Sequence, residues 1–114
     1  MYKIEAIVRE EKLEDVKEAL GAIGVNGISV YQVSGCGTQK GYQELVRGNE
    51  IDVLFNNKIK FEIIVSDEEW EFATIEAIAK AAFTGEIGDG KIISYELRSV
   101  MRIRTKETGY DALN

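Results

Sequence analysis

The chain has 114 residues, of which 45% are hydrophobic, and its formal net charge is −6. These values predict a single domain over residues 1–114 with a substantial core, and they exclude a disordered chain. A protein that coats nucleic acid normally carries a basic surface. The acidic balance therefore argues against direct nucleic-acid binding, but it leaves room for a local basic pocket.

The counts of cysteine and histidine restrict the kinds of catalytic and metal site that the chain can form. Cys36 is the only cysteine and histidine is absent, which excludes an intramolecular disulfide and removes the commonest general base and metal ligand. A single thiol fits a reducing compartment, so we expect a cytoplasmic protein. The N-terminus is charged, and no apolar run approaches the roughly 18 residues of a membrane span. We therefore expect neither a signal peptide nor a transmembrane helix.

The first half of the chain predicts a strand, a helix and a second strand. Ile and Val alternate roughly with other residues in Tyr2–Val8, as in a strand. The period then changes, and apolar residues at positions 13, 16, 20 and 23 mark one face of a helix over Leu13–Ile23. Gly24 suits the end of that helix, and Gly27–Ser34 has the composition of a strand.

The second half repeats this order. Apolar residues alternate in Ile59–Val65, and Ser66 with Glu69 forms a capping-box pattern at the start of a helix that runs to about Phe83. Lys91–Leu97 predicts the fourth strand. One stripe of the predicted helix carries Trp70, Ala73, Ala77 and Ala81.

The element order predicts an α+β fold, the ferredoxin-like βαββαβ sandwich, with two helices on one face of a four-stranded antiparallel sheet. The other face would carry a mixture of apolar and charged residues. Both a solvated face and a face buried by neighbouring subunits are consistent with that mixture. The residues concerned are Glu5, Ile7, Lys60, Glu62 and Ile64.

A long segment, Gly35–Lys58, separates strands two and three, and its charged tip predicts a surface that contacts a partner. It opens with GCGTQKG, which nearly matches the dinucleotide fingerprint, but Lys40 stands at the third glycine and no helix follows. Cys36 lies between two glycines, but no histidine is present to activate it as a nucleophile.

A second glycine-rich stretch, TGEIGDGKI at Thr84–Ile92, nearly matches the phosphate-loop pattern. Ile92 replaces the Ser or Thr that would hold magnesium, and a strand follows instead of a helix, so a Walker-type NTPase is excluded. Glycines with Lys91 can still bind an anion through backbone amides and one cation. The alternative is a plain helix end, with Gly85 as the residue that stops the helix.

Two arginines form a third element. Arg102 and Arg104 in RIRT are two residues apart, so on an extended segment both would point the same way and could bind phosphate oxygens. The alternative is a pair of solvated charges on a C-terminal strand. Together the two glycine-rich loops, Lys91 and the arginines favour a compact polyanion such as a nucleoside triphosphate.

Several long motifs of one known family occur along the chain, and their order and spacing also agree. They are KLEDVKEAL, G-C-G-x-Q-K-G, E-L-x-R-G at Glu44–Gly48, Lys58 with K-x-E-I-I-V, T-G-x-I-G-D-G-K-I and R-I-R-T-x-E-T-G. On these motifs the chain resembles, along essentially its full length, the PII nitrogen-regulatory signal proteins.

The resemblance implies a homotrimer that acts as a signal protein and not as an enzyme, with ATP and ADP competing for three clefts between subunits. It also implies a T-loop at about 37–55, a B-loop at about 83–91 and a C-terminal strand and tail at about 98–114. The nucleotide-binding residues implied are Gly35, Gly37, Thr38, Gln39, Glu62 near the adenine, Ile87, Gly88, Gly90, Lys91, Arg102 and Arg104.

The resemblance also implies that 2-oxoglutarate binds through a magnesium ion held by ATP and the Gln39 side chain. Lys58 would pair with a carboxylate of the acid, and amides near Lys40 and Gly41 would help. Arg47 at the loop tip implies an Amt-type ammonium channel as first-choice partner, which would be the protein's only link to a membrane. Glutamine synthetase and a nitrogen transcription regulator are the competing partners.

Departures from the family pattern bear on regulation. Thr38 stands where an arginine is frequent, so one phosphate contact is lost or replaced by the hydroxyl. Ile51 stands where many relatives carry a tyrosine that is nucleotidylated, and Asn49 where some carry a phosphorylatable serine. Isoleucine has no acceptor oxygen, so that nucleotidylation is excluded and we expect regulation by effector binding alone.

Three alternatives to this interpretation stay open. One is a small phosphate-handling enzyme on the same fold, and another is an RNA-binding module, although Phe61 has the parity of the buried face. The third is a related trimeric sensor of another ligand, such as bicarbonate or a different adenylyl nucleotide. Gln39 and Lys58 together favour 2-oxoglutarate over that third alternative.

Overall fold

Strands and helices alternate along the chain in the computed structural model, which describes residues 1–37 and 54–113. Each half of the chain contributes a strand, a helix and a strand, as predicted. The elements are β1 Tyr2–Arg9, α1 Leu13–Ala22, β2 Ile28–Gly37, β3 Leu54–Val65, α2 Glu68–Ala82 and β4 Lys91–Glu96, with short 3-10 helices at Glu10–Lys12 and Gly109–Leu113.

The four strands form one antiparallel sheet in the order β2-β3-β1-β4. Ile4 on β1 lies opposite Ile63 on β3 and Ser94 on β4, which fixes the register of the two central strands. Because side chains alternate along a strand, this register sends the even residues of β1 and the odd residues of β3 to the same face. The ferredoxin-like prediction is confirmed.

Both helices cover that face and close the core. The largest fully buried side chains include Ile4 and Val8 from β1, Phe61 and Ile63 from β3, and Leu20 from α1. Phe61 therefore has the buried position that its parity predicted. No helix within the described ranges is long and apolar enough to cross a membrane.

Helix α2 departs from prediction at its start and on its buried face. Asp67, not Ser66, caps the helix, and its carboxylate accepts a hydrogen bond from the Trp70 amide at 3.0 Å. Two good capping residues stand side by side, and the carboxylate provides the stronger acceptor for a helix N-terminus. The stripe predicted to run from Trp70 through Ala73 is not the fully buried one, which consists of Thr74, Ile78 and Ala82.

The long segment between β2 and β3 is shorter than Gly35–Lys58. The β2–β3 ladder continues to the pair Gly37 and Leu54, so both ends of the predicted loop belong to the sheet. The alternation of apolar residues is lost in this part of β2, which explains why the composition alone did not predict a strand there.

Candidate functional site

The glycine-rich stretch at 84–90 links α2 to β4, and Asp89 closes it into a loop. The Asp89 carboxylate accepts hydrogen bonds from the backbone amides of Thr84 and Gly85, both at 2.9 Å, and from the Thr84 hydroxyl. The hydrogen bonds from the Thr84 hydroxyl and amide, followed by those from Gly85 and Arg9, hold the pKa of Asp89 well below its ordinary value. The carboxylate stays ionised, and its negative charge stabilises the loop by accepting these hydrogen bonds.

Arg9 fastens this loop to the end of β1. Its Nε donates to Asp89 Oδ1 at 3.0 Å, and its Nη2 donates to the Ile87 carbonyl at 2.8 Å. Neither Arg9 nor Asp89 stood out in the sequence as a functional residue. The one sequence feature that could have identified Arg9 is its odd number in β1. The odd-numbered residues of that strand, including Ile7, lie on the open face of the sheet, and Arg9 is the next in that series.

Two glycines let the loop meet the sheet. Gly90 has a φ of +101°, and a Cβ at this residue would lie 1.8 Å from the Ile7 carbonyl oxygen, so no other residue fits where β4 begins. Gly88 has a φ of +107°, and a Cβ there would lie 3.3 Å from Arg9 Nη2. Backbone conformation and close contacts therefore explain why these two positions are glycine, whether or not they also bind a ligand.

Cationic side chains gather beside this loop, at one end of the open sheet face. Lys58 lies opposite Arg9 in the β1–β3 register, and its Nζ donates to the Gly88 carbonyl. Lys91 lies opposite Ile7 on the other side of β1. The structure thus places Lys58, which was predicted separately, beside the loop that contains Gly88 and Lys91, and it adds Arg9.

The predicted arginine pair lies elsewhere. The chain passes Leu97, whose amide bonds to the Met1 carbonyl at 2.9 Å, so Arg102 and Arg104 follow the opposite end of β4 from the glycine-rich loop. Between Ile7 and Met1, β1 advances six residues, which corresponds to about 20 Å along a strand. Among the described residues, neither arginine is bonded to the glycine-rich loop or to the lysines beside it.

The arginines also do not lie on an extended segment, so that prediction was wrong. The Lys106 amide bonds to the Arg102 carbonyl at 2.8 Å, and Lys106 has a φ of 64°, which makes a turn. The Thr105 hydroxyl donates to Glu107 Oε1 at 2.7 Å, and such local side-chain bonds favour turns over strands. Arg102 Nη1 bonds to the same Glu107 at 2.8 Å. Only an isolated bridge, Met101 with Thr108, stands where a C-terminal strand was predicted.

Glu62 lies at the centre of the open face, within a network of paired charges. Lys3 Nζ is 3.2 Å from Glu62 Oε1, and the Tyr31 hydroxyl donates to Glu62 Oε2. Lys60 Nζ is 3.1 Å from Glu5 Oε1. The Tyr31 hydrogen bond, followed by that of Lys3, lowers the pKa of Glu62, so the carboxylate is ionised. This face is mixed, as predicted, and the charges at its centre are paired with one another.

The remaining predicted residues fall into two groups. Gly35 and Gly37 lie on β2 opposite Asn56 and Leu54, where β2 and β3 extend beyond the cationic end of the sheet, and Ile87 is largely exposed within the glycine-rich loop. The others lie outside the described residues. They are Thr38, Gln39, Lys40, Gly41, Arg47, Asn49 and Ile51.

Comparisons with known proteins agree with this architecture. Residues 1–107 match the family model described as nitrogen regulatory protein P-II. A nitrogen regulatory protein P-II of Rhizobium meliloti strain 1021 is 53% identical over 113 residues, which cover 99% of this chain and 100% of the relative. One from Pasteurella multocida strain Pm70 is 50% identical with the same coverage.

A solved structure extends the comparison to three dimensions. The crystal structure of Arabidopsis thaliana PII bound to citrate superposes with a TM-score of 0.75 at 39% identity, and the match covers 97% of this chain and 90% of that one. The chain belongs to the P-II family of nitrogen regulatory proteins, whose members are signal-transduction regulators and not enzymes.

Proposed function

We propose that this protein senses ATP or ADP together with 2-oxoglutarate and reports their levels to a nitrogen-assimilation partner. The observation that carries the proposal is the cluster of Arg9, Lys58 and Lys91 beside a glycine-rich loop whose only aspartate is already bound by internal donors. An incoming polyanion would meet cations and the backbone amides of a glycine-rich loop without a competing free carboxylate from Asp89.

The second half of the nucleotide site would come from another copy of the chain. Arg102 and Arg104 lie at the far end of the sheet in their own protomer, so a cyclic homotrimer would carry them to a neighbour's glycine-rich loop. The open face supports such an assembly because it combines neutralised charges with apolar residues. Ile64, Ile93 and Tyr95 are among the exposed large hydrophobic residues there.

The proposed cleft between subunits would hold the nucleotide with residues from both copies. Glu62, beside the half-exposed Ile64, would face the adenine. The proposed contacts are Gly35, Gly37, Thr38, Gln39, Glu62, Ile87, Gly88, Gly90 and Lys91, with Arg102 and Arg104 from the neighbouring copy.

Lys58 supports the 2-oxoglutarate part of the proposal. Its ammonium is bound to a neutral backbone carbonyl, that of Gly88, and a carboxylate would be a stronger acceptor for the same group. The Arabidopsis protein binds citrate, itself a carboxylate ligand. The amides of Lys40 and Gly41 are proposed as additional donors to the acid.

Magnesium would link ATP to the keto acid and neutralise the phosphate charge. Within residues 1–37 and 54–113 no group of three acidic, cysteine or histidine residues is arranged to hold a metal, and Asp89 is engaged by its own loop. These residues fit a cation held mainly by phosphate oxygens, with Gln39 as the proposed protein ligand.

The proposed output is the T-loop at about 37–55. Arg47 is the proposed contact with an Amt-type ammonium channel, and glutamine synthetase or a nitrogen transcription regulator are the competing partners. The protein would act in the cytoplasm and reach a membrane only through the channel. Loss of co-purification with the channel in Arg47→Ala is the expected result, and unchanged co-purification would contradict this assignment.

Calorimetry with ATP and ADP in magnesium buffer, with and without 2-oxoglutarate, tests the proposal. We expect nucleotide binding without the acid, and acid binding only with MgATP. Lys58→Ala should weaken 2-oxoglutarate binding at least tenfold and leave ATP binding in place, whereas the exposed Lys17→Ala should change neither. If Lys58→Ala removed both ligands together, the division of roles would be wrong, and ATP binding with bicarbonate in place of the acid would favour the alternative sensor.

A further inference from the structure

A groove on the helical layer carries exposed aromatic side chains that the proposed ligand site does not use. It lies where the end of α1 meets the start of α2 and has a volume of about 630 Å³. Phe72 is 69% exposed and Trp70 is 39% exposed. The groove is lined by Ile23, Glu68, Glu69, Trp70, Phe72 and Ala73.

Carboxylates surround the aromatic ring of Phe72. Residues three and four positions apart are neighbours on a helix surface, so Glu68, Glu69 and Glu76 all flank Phe72. Among the described residues, neither Glu69 nor Glu76 has a salt-bridge partner. The two helices together carry seven acidic and two basic residues, so they account for five of the six excess negative charges of the chain.

The negative charge of the helical layer indicates which kind of molecule the apolar groove binds. Two copies of the chain docked through their helical layers would place like charges together, and an anionic lipid surface would be repelled in the same way. A segment with apolar side chains flanked by lysine or arginine would bury Phe72 and neutralise Glu69 and Glu76. We propose that the groove docks a basic amphipathic segment of a partner protein.

The groove is separate from the proposed nucleotide site. Phe72 lies in the first half of α2, whereas the glycine-rich loop follows the end of α2 at Ala82. Ten residues of helix correspond to about 15 Å, and the groove shares no residue with the proposed nucleotide contacts. A partner could therefore dock here while the T-loop holds a second contact, and the two proposals can fail independently.

The single tryptophan of the chain provides a direct readout because Trp70 lines the groove. The probe is a synthetic 14-residue peptide made of two copies of Leu-Lys-Lys-Leu-Leu-Lys-Leu, which contains no tryptophan. Titration into the full-length protein should shift Trp70 emission to shorter wavelength with saturation, and added salt should weaken the binding. The same peptide with glutamate in place of lysine should not bind.

Matched variants separate this groove from general charge attraction. Phe72→Ala should weaken peptide binding at least tenfold, and Phe83→Ala, with a ring of equal exposure at 70%, should not. Glu69→Lys should weaken binding, whereas Glu14→Lys, the same charge change at the far end of α1, should have a much smaller effect. ATP binding, measured in parallel, should be unchanged in the variants at Phe72, Glu69 and Glu14.

Three outcomes would overturn the proposal. The first is equal weakening by Glu69→Lys and Glu14→Lys with no effect of Phe72→Ala, which would mean that only net charge matters. The second is binding of the glutamate peptide. The third is a lower oligomeric mass for Phe72→Ala in sedimentation, which would assign the groove to a second copy of the chain.

Discussion

The glycine-rich loop at 84–90 and the turn at 102–107 are both rich in hydrogen bonds, but the loop precedes β4 and the turn follows its opposite end. The loop is fixed to the body of the protein because Arg9 ties its aspartate and the Ile87 carbonyl to β1. The turn is fixed mainly to itself, with Arg102 bound to Glu107 five residues later.

This difference supports the proposal that one chain supplies only half of the nucleotide site. At the loop, Asp89 and Arg9 hold the backbone in place, and Lys58 and Lys91 stand beside it. At the turn, Arg102 is bound to Glu107 nearby, and neither arginine is bonded to the glycine-rich loop of its own protomer. The loop is therefore the proposed preformed half of the site, and the turn is the half that a neighbour is proposed to contribute.

The largest expected effect is at Gly90. Gly90→Ala would place a methyl group within bonding distance of the Ile7 carbonyl and force a positive φ on alanine. We expect a loss of more than about 3 kcal/mol of stability and no nucleotide binding. Gly21→Ala is the control, because nothing lies within 4 Å of its Cβ, and a helical alanine should stabilise α1 by about 0.5–1 kcal/mol. Thermal and urea denaturation measure both, and equal stability of the two variants would contradict the loop geometry.

Removal of the arginines should affect binding but not folding. Arg102→Ala with Arg104→Ala deletes two charge-assisted contacts to phosphate, and we expect ATP affinity to fall by about a hundredfold. The melting temperature without nucleotide should change little, since the turn is exposed. Calorimetry together with a thermal scan tests this, and normal ATP affinity in the double variant would remove the turn from the site.

Asp89 should show an intermediate effect with a distinctive pH dependence. Asp89→Asn keeps the shape but weakens the bonds from Thr84 and Arg9, and we expect about a tenfold loss of nucleotide affinity. Because the folded pKa of Asp89 lies below its ordinary 3.8, the stabilisation is present above about pH 4. It is lost only as the pH falls from there toward the folded pKa.

The stability difference between wild type and Asp89→Asn should therefore be constant from neutral pH to about pH 4 and shrink only in stronger acid. Denaturation curves across this range measure it. The exposed Asp15→Asn serves as control and should show no such difference. If the stability difference between wild type and Asp89→Asn disappeared near pH 6, a group other than Asp89 would hold the loop.

The smallest expected effect is at the turn. Glu107→Gln removes the charge that pairs with Arg102, an exposed ion pair of the kind that contributes less than about 1 kcal/mol. We expect a stability change at the limit of detection and equal or slightly tighter ATP binding, because Arg102 is released. Calorimetry on this variant would contradict the account if ATP affinity fell as far as in Asp89→Asn.

Much of the fold could be predicted from the sequence, because each strand and helix shows its own period of apolar residues. The predictions for α2 were wrong where neighbouring residues are equally suited to the same position, as the helix cap or on the buried face. Ser66 and Asp67 are both good caps, and α2 is so rich in alanine that its stripe shifts by one position without losing apolar character.

The candidate site was predicted in pieces. Glycine spacing singled out Gly85, Gly90 and Lys91, and the family resemblance added Gly88. Nothing in the local pattern connects Arg9 with Asp89, which are 80 residues apart in the chain. Only the strand register places them together. The role of the arginine pair in the site stays a prediction, and its predicted extended geometry was wrong, because the bonds of Thr105 and Glu107 that shape the turn depend on side-chain positions and not on period.

Mixing of two inactive variants tests the central claim most directly. One carries Lys91→Ala, and the other carries Arg102→Ala with Arg104→Ala, and each should bind ATP poorly alone. If each site joins the loop of one copy to the arginines of another, random co-assembly of equal amounts should restore about a quarter of the sites to wild-type affinity. If the mixture binds no better than the two separate proteins, the site does not span two copies and the account is contradicted.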